Sequence, residues 1–349
     1  MGDAKQRKTW VVWLLRALVV VVLLLVVNWI VSNIDWDEVG QAFRAVSNAQ
    51  LALLVALVVL RYAFSATPLS MLIPGLGLGR AMVSDLTAVT MATAAPPPAD
   101  VVVRFGMFRA WGINLARAGS GLALNTVLFY VIRFSAPLFG VLAFVTLRRE
   151  DTGLGWFPYL SGLLAVAIAG GMALMVRSEA GARWIGHSAG RIVGRVKPDR
   201  ADPDRWADAM AEFRTQVAED LSSKWLGAST ALVFMLATEA TMFLVAVRAA
   251  GVSEAELSWL FVVGAFCVVY PATSLPASGL GVLDAALFTL LNRETGGNYE
   301  SQLIAAIVIW RALTMVMPII LGGLTLLLFR RTHDMSADDE EIVEAAGRG

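Results

Sequence analysis

The sequence predicts an all-α polytopic membrane protein, and three observations support this fold class. Of its 349 residues, 57% are hydrophobic and 16% are charged, whereas soluble domains average about 45–50% apolar and about 25% charged residues. Several apolar runs reach the roughly 20 residues that a transmembrane helix needs. The formal net charge is zero, so the chain lacks the overall positive field that attracts nucleic acid. These observations argue against a nucleic-acid binder and a disordered chain.

Six full transmembrane helices are predicted from apolar runs of sufficient length. They cover residues 10–31, 51–73, 120–147, 155–176, 225–249 and 303–329. The first run follows Lys5, Arg7 and Lys8, as a secretory signal would. Because the run is long and no cleavage site of small residues follows it, we expect a retained anchor.

Two further apolar segments, residues 81–117 and 259–291, are interrupted by proline, glycine and other small residues. The breaks include Pro97, Pro276, Gly279 and Gly281. Each segment holds two arms of about 12–16 residues, which as helices would measure about 18–24 Å, short of the roughly 30 Å hydrocarbon core. The pattern predicts two broken re-entrant hairpins.

The excess of Lys and Arg in alternate loops places both termini in the cytoplasm. The predicted organisation is a first half, a connecting helix, a cytoplasmic amphipathic segment, a second half and an acidic disordered tail. These units cover residues 1–147, 148–176, 177–224, 225–330 and 331–349.

The two halves repeat one element order with inverted topology, since each has a span, a broken hairpin and a second span. Corresponding interrupted segments in two halves indicate the binding site of a transporter. The alternative is that the two halves contain unrelated kinked hairpins.

The cytoplasmic segment contains a predicted amphipathic helix. Asp202 followed by Pro203 is typical of a helix start. Apolar residues then recur every three or four positions, at Trp206, Met210, Phe213, Val217 and Leu221. We expect this helix either to lie on the inner leaflet or to pack beneath the helix bundle.

Ionisable residues inside apolar segments are the candidates for function, because each costs about 2.5–3.5 kcal/mol at the bilayer centre and needs a partner or a cavity. They are Arg61, Asp85, Asp100, Arg104, Arg133, Glu239, Asp284 and Arg311. Asp284 and Arg311 occupy consecutive elements and are predicted to form an ion pair. One interpretation of all these charges is structural pairing that fixes helix register.

A second interpretation is that Arg104, Arg109 and Arg311 bind the anionic head group of a lipid. The planar guanidinium group donates two parallel hydrogen bonds to phosphate. The carboxylates of Asp100, Glu239 and Asp284 would neutralise the site or carry a proton.

Metal, cofactor and enzyme chemistry are not expected. Cys267 is the one cysteine, and the two histidines, His187 and His333, are far apart, so these residues supply no metal cluster. Neither a nucleotide-binding fingerprint nor a constellation of nucleophile, histidine and acid stands out. A membrane-embedded lipid-modifying enzyme is therefore disfavoured.

The second break, residues 275–286, reads Leu-Pro-Ala-Ser-Gly-Leu-Gly-Val-Leu-Asp-Ala-Ala. With the later Trp310-Arg311-Ala312-Leu313, Pro318 and Gly322-Gly323, it resembles the lysylphosphatidylglycerol synthase transmembrane region, also called the flippase-like or UPF0104 family. The order of spans, the broken first hairpin and the cytoplasmic helix match as well. Ala277-Ser278-Gly279 stands where the family has two glycines, and Asp284 stands where it usually has glutamate. The chain resembles a divergent member without the aminoacyltransferase domain.

This resemblance implies movement of an anionic or modified lipid between the leaflets of a bacterial plasma membrane. The partners would be that lipid and the bilayer. The alternative is a non-transporting scaffold for a lipid- or glycan-modifying enzyme, docked on the cytoplasmic helix over residues 206–221. A polar cavity that reaches Arg104, Asp284 and Arg311 would favour transport, whereas full burial of these charges in pairs with other protein groups and without a cavity would remove most of its support.

Overall fold

The computed structural model describes residue 44 and residues 46–94, 99–147, 157–196 and 202–332, and every regular element among them is helical. This confirms the all-α class. In chain order the helices are α1 (Asn48–Leu72), α2 (Leu78–Ala94), α3 (Ala99–Ala110), α4 (Leu115–Thr146), α5 (Phe157–Arg177), α6 (Glu179–Val196), α7 (Pro203–Ala249), α8 (Trp259–Val269), α9 (Pro276–Gly279), α10 (Val282–Glu294), α11 (Glu300–Arg311) and α12 (Met317–Thr332). A 3-10 turn (Tyr270–Ser274) follows α8, and a π turn (Ala312–Val316) joins α11 to α12.

Within the described part of the chain, four helical stretches are long and apolar enough to cross a membrane. They are Asn48–Leu72, Leu115–Thr146, Lys224–Ala249 and Glu300–Phe329. Each coincides with a span predicted from the sequence. The predicted span over residues 155–176 folds as helix α5, and the one over residues 10–31 lies outside the described residues, as does the tail from residue 333. The total of six spans, like the sides of the termini, remains a prediction.

Helix starts follow the capping residues in the sequence. Ser47 accepts a hydrogen bond from the backbone N–H of Gln50, whose side chain accepts from the N–H of Ser47 in return. Asn114 and Ser258 cap α4 and α8 in the same way through their side-chain oxygens. These side chains satisfy backbone N–H groups that have no partner within the helix.

The first interrupted segment forms two short helices, and the second forms two short arms joined by the 3-10 turn Tyr270–Ser274 and the single-turn helix α9. In the first hairpin, α2 has 17 residues and α3 has 12, which correspond to about 26 Å and 18 Å. In the second hairpin, α8 has 11 residues and α10 has 13, about 17 Å and 20 Å. The arms pack against each other within each hairpin. All four are shorter than the roughly 30 Å hydrocarbon core; re-entry itself remains a prediction.

The halves pack reciprocally. Helix α4 of the first half lies against α8 of the second hairpin, and α12 of the second half lies against α2 of the first hairpin. Glycines permit both crossings: a Cβ on Gly140 would come within 2.6 Å of the Gly264 carbonyl oxygen, and one on Gly322 within 2.2 Å of the Leu86 carbonyl oxygen. Helices α1 and α7 pack directly against each other.

Helix α7 differs from the expected separation of a cytoplasmic helix from the span that follows. It begins where the sequence predicts, with the side chain of Asp202 capping it and Pro203 in its first turn. It then continues without interruption for 47 residues to Ala249. Its N-terminal part packs against α6, where Gly186 and Gly190 lie directly against Trp206 and Pro203. The amphipathic segment is therefore one arm of a helical hairpin with α6.

Candidate functional site

The predicted ion pair between Asp284 and Arg311 is present at the second break. Arg311 Nε lies 2.7 Å from Asp284 Oδ1, and its Nη2 lies 3.1 Å from Oδ2. Both side chains are largely buried, with 15% and 11% exposed, respectively. The third nitrogen of the guanidinium donates to the Ser278 carbonyl at 3.3 Å and contacts Met315 sulfur at 3.5 Å. The fork of Arg311 is thus occupied by protein groups.

The backbone of the second break explains its glycines. Ser278, Gly279 and Gly281 have φ values of 54°, 70° and 84°, in the left-handed region that glycine enters without steric cost. A Cβ on Gly279 would lie 2.3 Å from the carbonyl oxygen of Ala272. Asp284 Oδ2 accepts from the N–H of Gly281 at 2.8 Å, so one carboxylate binds Arg311 and also caps the start of α10.

A second ion pair closes the first hairpin. Arg104 Nη2 of α3 lies 2.6 Å from Asp85 Oδ1 of α2. Ser65 of α1 donates to the other carboxylate oxygen at 2.8 Å, and Arg104 Nη1 donates to Ser84 Oγ at 3.3 Å. Each charged side chain of the pair is 13% exposed. Asp85 and Arg104 were both predicted as intramembrane charges, but their pairing was not predicted from the sequence.

A third pair joins the two long helices α1 and α7. Arg61 Nε lies 3.2 Å from Glu239 Oε2, although its N–H is not aimed at that oxygen and makes no hydrogen bond. The hydroxyl of Tyr270 donates to the same Oε2 at 3.0 Å. Glu239 is 4% exposed. Tyr270 is held by Phe266, which packs with Phe243 and Trp310.

Arg133 of α4 also contacts Tyr270, through the face of its ring. Its guanidinium carbon lies 5.9 Å from the centroid of the Tyr270 ring and 4.4 Å from that of Phe129. Its Nη1 donates to Ser274 Oγ at 3.3 Å. Among the described residues, Arg133 has no carboxylate partner.

The predicted head-group arginines occupy different places. Arg104 and Arg311 belong to the two hairpin-associated ion pairs, whereas Arg109 is exposed in the last turn of α3. Asp100 is half-buried in the first turn of α3. Pro97 lies outside the described residues, and Pro276 begins α9.

The neutral groups that form hydrogen bonds with these charged side chains were not predicted from the sequence. Ser65, Ser84, Tyr270 and the carbonyl of Ser278 each bind a charged side chain. A hydroxyl in an apolar helix is a weak signal, because most serines and threonines there bond to their own helix, as Thr67 does with the carbonyl of Ala63.

Comparison with known proteins identifies one family. The sequence model of one family, the lysylphosphatidylglycerol synthase TM region, matches residues 13–322, which is most of the chain. No curated protein and no solved structure matches the chain.

Proposed function

Since the chain belongs to the lysylphosphatidylglycerol synthase TM region family, multi-pass membrane domains associated with lipid handling, we propose that it moves an anionic or modified lipid between the leaflets of a bacterial plasma membrane. The activity is transport, without covalent chemistry on the lipid. The head group would cross between the two hairpins while the acyl chains stay in the bilayer.

The observation that supports this proposal most directly is the second break with its buried ion pair. Irregular backbone at membrane depth is tolerated only where protein covers it or where it lines a wet cavity. Here it lies beside a guanidinium and a carboxylate, the groups that would face a polar head group. Interrupted helices in corresponding positions of two halves are typical of transporter binding sites.

The proposed head-group contacts are Arg104, Arg109 and Arg311, with Asp100, Glu239 and Asp284 as neutralising or proton-carrying groups. Because the forks of Arg104 and Arg311 are occupied by carboxylates, a phosphate would have to replace Asp85 or Asp284 at the guanidinium. Exchange of one anion for another would keep the charge neutralised throughout, which lowers the cost of moving it within the bilayer.

Transport is tested by reconstituting the purified chain in liposomes that carry a fluorescent phospholipid, followed by quenching with dithionite. Dithionite reaches the outer leaflet only, so translocation extends quenching to lipid that began in the inner leaflet. We expect extended quenching with the wild type and its loss with Arg311→Ala. Arg183→Ala is the matched control, because Arg183 is half-exposed in α6 and pairs with Asp208 on the helical hairpin.

Quenching that matches protein-free liposomes would contradict transport of the lipid used, and the assay is repeated with phosphatidylglycerol and with its aminoacylated form. Full activity in Arg311→Ala would remove that residue from the proposed head-group contacts.

The α6–α7 hairpin supports a second candidate, the non-transporting scaffold for a lipid- or glycan-modifying enzyme. Trp184 of α6 is 62% exposed, and the part of α7 that faces α6 extends about 30 Å beyond the apolar span that starts at Lys224. A scaffold would retain its partner when Trp184 is intact, yet leave dithionite quenching at the protein-free level.

A further inference from the structure

Arg133 differs from Arg104 and Arg311 in the groups that its guanidinium contacts. It lies about 20 Å along α4 from the helix end at Thr146, well inside an apolar span. Arg104 and Arg311 each contact a carboxylate within 2.7 Å. In the described part of the chain, Arg133 contacts a serine hydroxyl and aromatic rings, and it has no carboxylate.

The charge around Tyr270 does not sum to zero. Arg61 and Arg133 contribute two positive charges, and Glu239 contributes one negative charge. Tyr270 connects them, since its hydroxyl donates to Glu239 and its ring faces the guanidinium of Arg133. The described residues of this cluster therefore carry one unneutralised positive charge where the surrounding medium is apolar.

Hydrogen-bond donors are also left over. The buried Nε–H of Arg133 has no hydrogen-bond partner, whereas that of Arg61 lies 3.2 Å from Glu239 Oε2 without a hydrogen bond to it. The Arg133 fork has a single hydrogen bond, from Nη1 to Ser274 at 3.3 Å. In contrast, all three nitrogens of Arg311 have protein partners. A buried polar group without a partner in a native structure needs an explanation, and a bound water or ion is one.

Aromatic rings position the Arg133 guanidinium without neutralising it. The ring centroids of Phe129, Tyr130 and Tyr270 lie 4.4, 5.6 and 5.9 Å from its central carbon. Such rings attract a cation through their quadrupole and leave its formal charge intact. Arg133 is thus held in place in advance, with its charge available to an anion.

The cluster is open at the second break. Ser274 is exposed, and the neighbouring apolar side chains of Leu275 and Tyr130 are 45% and 38% exposed. A polar group at Arg133 would therefore have apolar surface beside it on which an acyl chain could lie.

We propose that Arg133 and Ser274 form an intramembrane binding site for the phosphate group of a lipid, with Arg61 supplying part of the positive field. The guanidinium fork would donate to two phosphate oxygens, and the Ser274 hydroxyl would donate to one of them. This site rests on the proposed translocation and deepens it, because Arg133 can accept the head group without first releasing a carboxylate.

The experiment measures binding and transport on the same preparations of the full chain. Purified protein in neutral detergent is titrated with dihexanoyl phosphatidylglycerol, with dihexanoylglycerol and with inorganic phosphate, and affinity is followed by thermophoresis. We expect phosphatidylglycerol to bind, and Arg133→Gln to weaken it about 10-fold or more, since a charge-assisted pair is lost. Arg133→Lys keeps the charge without the fork, and we expect a loss of about 3-fold.

Two controls separate the site from general effects. Arg183→Gln removes an arginine from the α6–α7 hairpin, and we expect the affinity to change less than about 2-fold because exposed pairs contribute little. Ser274→Ala alters an exposed side chain at the site and decides the matter if Arg133→Gln fails to fold; we expect a loss of about 3-fold.

Each negative outcome has its own meaning. Equal affinity for phosphatidylglycerol in wild type, Arg133→Gln and Ser274→Ala would overturn the site, whatever the liposomes show. Inorganic phosphate binding as tightly as the lipid would overturn the lipid as the source of the phosphate, and equally tight binding of dihexanoylglycerol would overturn recognition of phosphate. Binding that depends on Arg133 without any translocation would overturn the proposed function and leave the site standing.

Discussion

The two broken hairpins use the same kind of ion pair in different ways. In the first, Asp85 and Arg104 belong to the two arms of one hairpin, so their pair closes the hairpin on itself. In the second, Asp284 belongs to an arm and Arg311 to the following span. The first pair stabilises a unit, whereas the second attaches a break to a neighbouring helix.

The surroundings of Arg311 make this difference important. Arg311 is the last residue of α11 and is followed directly by the π turn Ala312–Val316. Single π turns inside helices are uncommon overall, and those that occur are often found at functional sites. A change of winding there would move the guanidinium, and the break would move with it. The ion pair of the first hairpin instead contacts its neighbouring helix α1 through the neutral hydroxyl of Ser65.

The largest difference between the hairpins is expected from removing each carboxylate. Asp284→Ala leaves Arg311 without its charge partner and removes the cap on α10, so we expect a loss of about 3–5 kcal/mol in the free energy of unfolding. Asp85→Ala should cost less, because Asp85 lies inside α2 and caps no helix, whereas Asp284 also accepts from the N–H of Gly281 at the start of α10. Thermal unfolding in detergent, followed by circular dichroism, measures both.

The control for these variants is Asp208→Ala, which breaks an ion pair whose side chains are 48% and 65% exposed. We expect it to cost less than about 1 kcal/mol. A loss for Asp85→Ala that equals or exceeds that for Asp284→Ala would remove the distinction between the hairpins.

A smaller effect is expected from the backbone of the second break. Gly279→Ala places a Cβ at positive φ and within 2.3 Å of the Ala272 carbonyl. The conformation alone costs about 1–3 kcal/mol, and the contact adds to it. Gly297→Ala is the matched control, since Gly297 has a φ of 81° and nothing within 4 Å of the added carbon. Equal unfolding temperatures for the two variants would show that the close approach to Ala272 does not matter.

The smallest effects test the reciprocal packing of the halves. Gly322→Ala and Gly140→Ala would each force a helix away from a hairpin, at about 1–3 kcal/mol per site. We expect similar losses of unfolding free energy at the two crossings. Gly323→Ala, with open space around its added carbon, should be neutral or slightly stabilising because alanine favours helix. A Gly322→Ala variant as stable as Gly323→Ala would refute tight packing of α12 on α2.

Much of the second hairpin was predictable from local sequence. The cluster of Pro276, Gly279 and Gly281 marks a break because proline favours turns and glycine permits positive φ, and α8 ends before it and α10 begins after it. Asp284 and Arg311 were predicted to pair because they are charges in consecutive apolar elements.

The other pairs depend on how distant helices meet, which local patterns do not encode. Arg61 and Glu239 lie in different halves of the chain, and Asp85 meets Arg104 only once the register of the first hairpin is set. Arg133 stands out only once its neighbours among the described residues are seen to include no carboxylate, so the anion-binding role proposed for it could not be read from the sequence.

The continuity of α7 was missed for a different reason. The composition changes from polar to apolar near Lys224, and this change was interpreted as a boundary between two elements. Neither glycine nor proline occurs between Asp204 and Leu226, however, so nothing in that stretch breaks the helix. A change of environment along a helix does not require a change of backbone conformation.

One continuous helix, α7, therefore joins the contact with α6 to the buried ion pair of Glu239. Its 47 residues form a rod about 70 Å long, with Trp206 near one end and Glu239 about 50 Å further along. Because no residue between Asp204 and Leu226 breaks the helix, a displacement of its α6 end would be transmitted along the rod to Glu239, the carboxylate that pairs with Arg61.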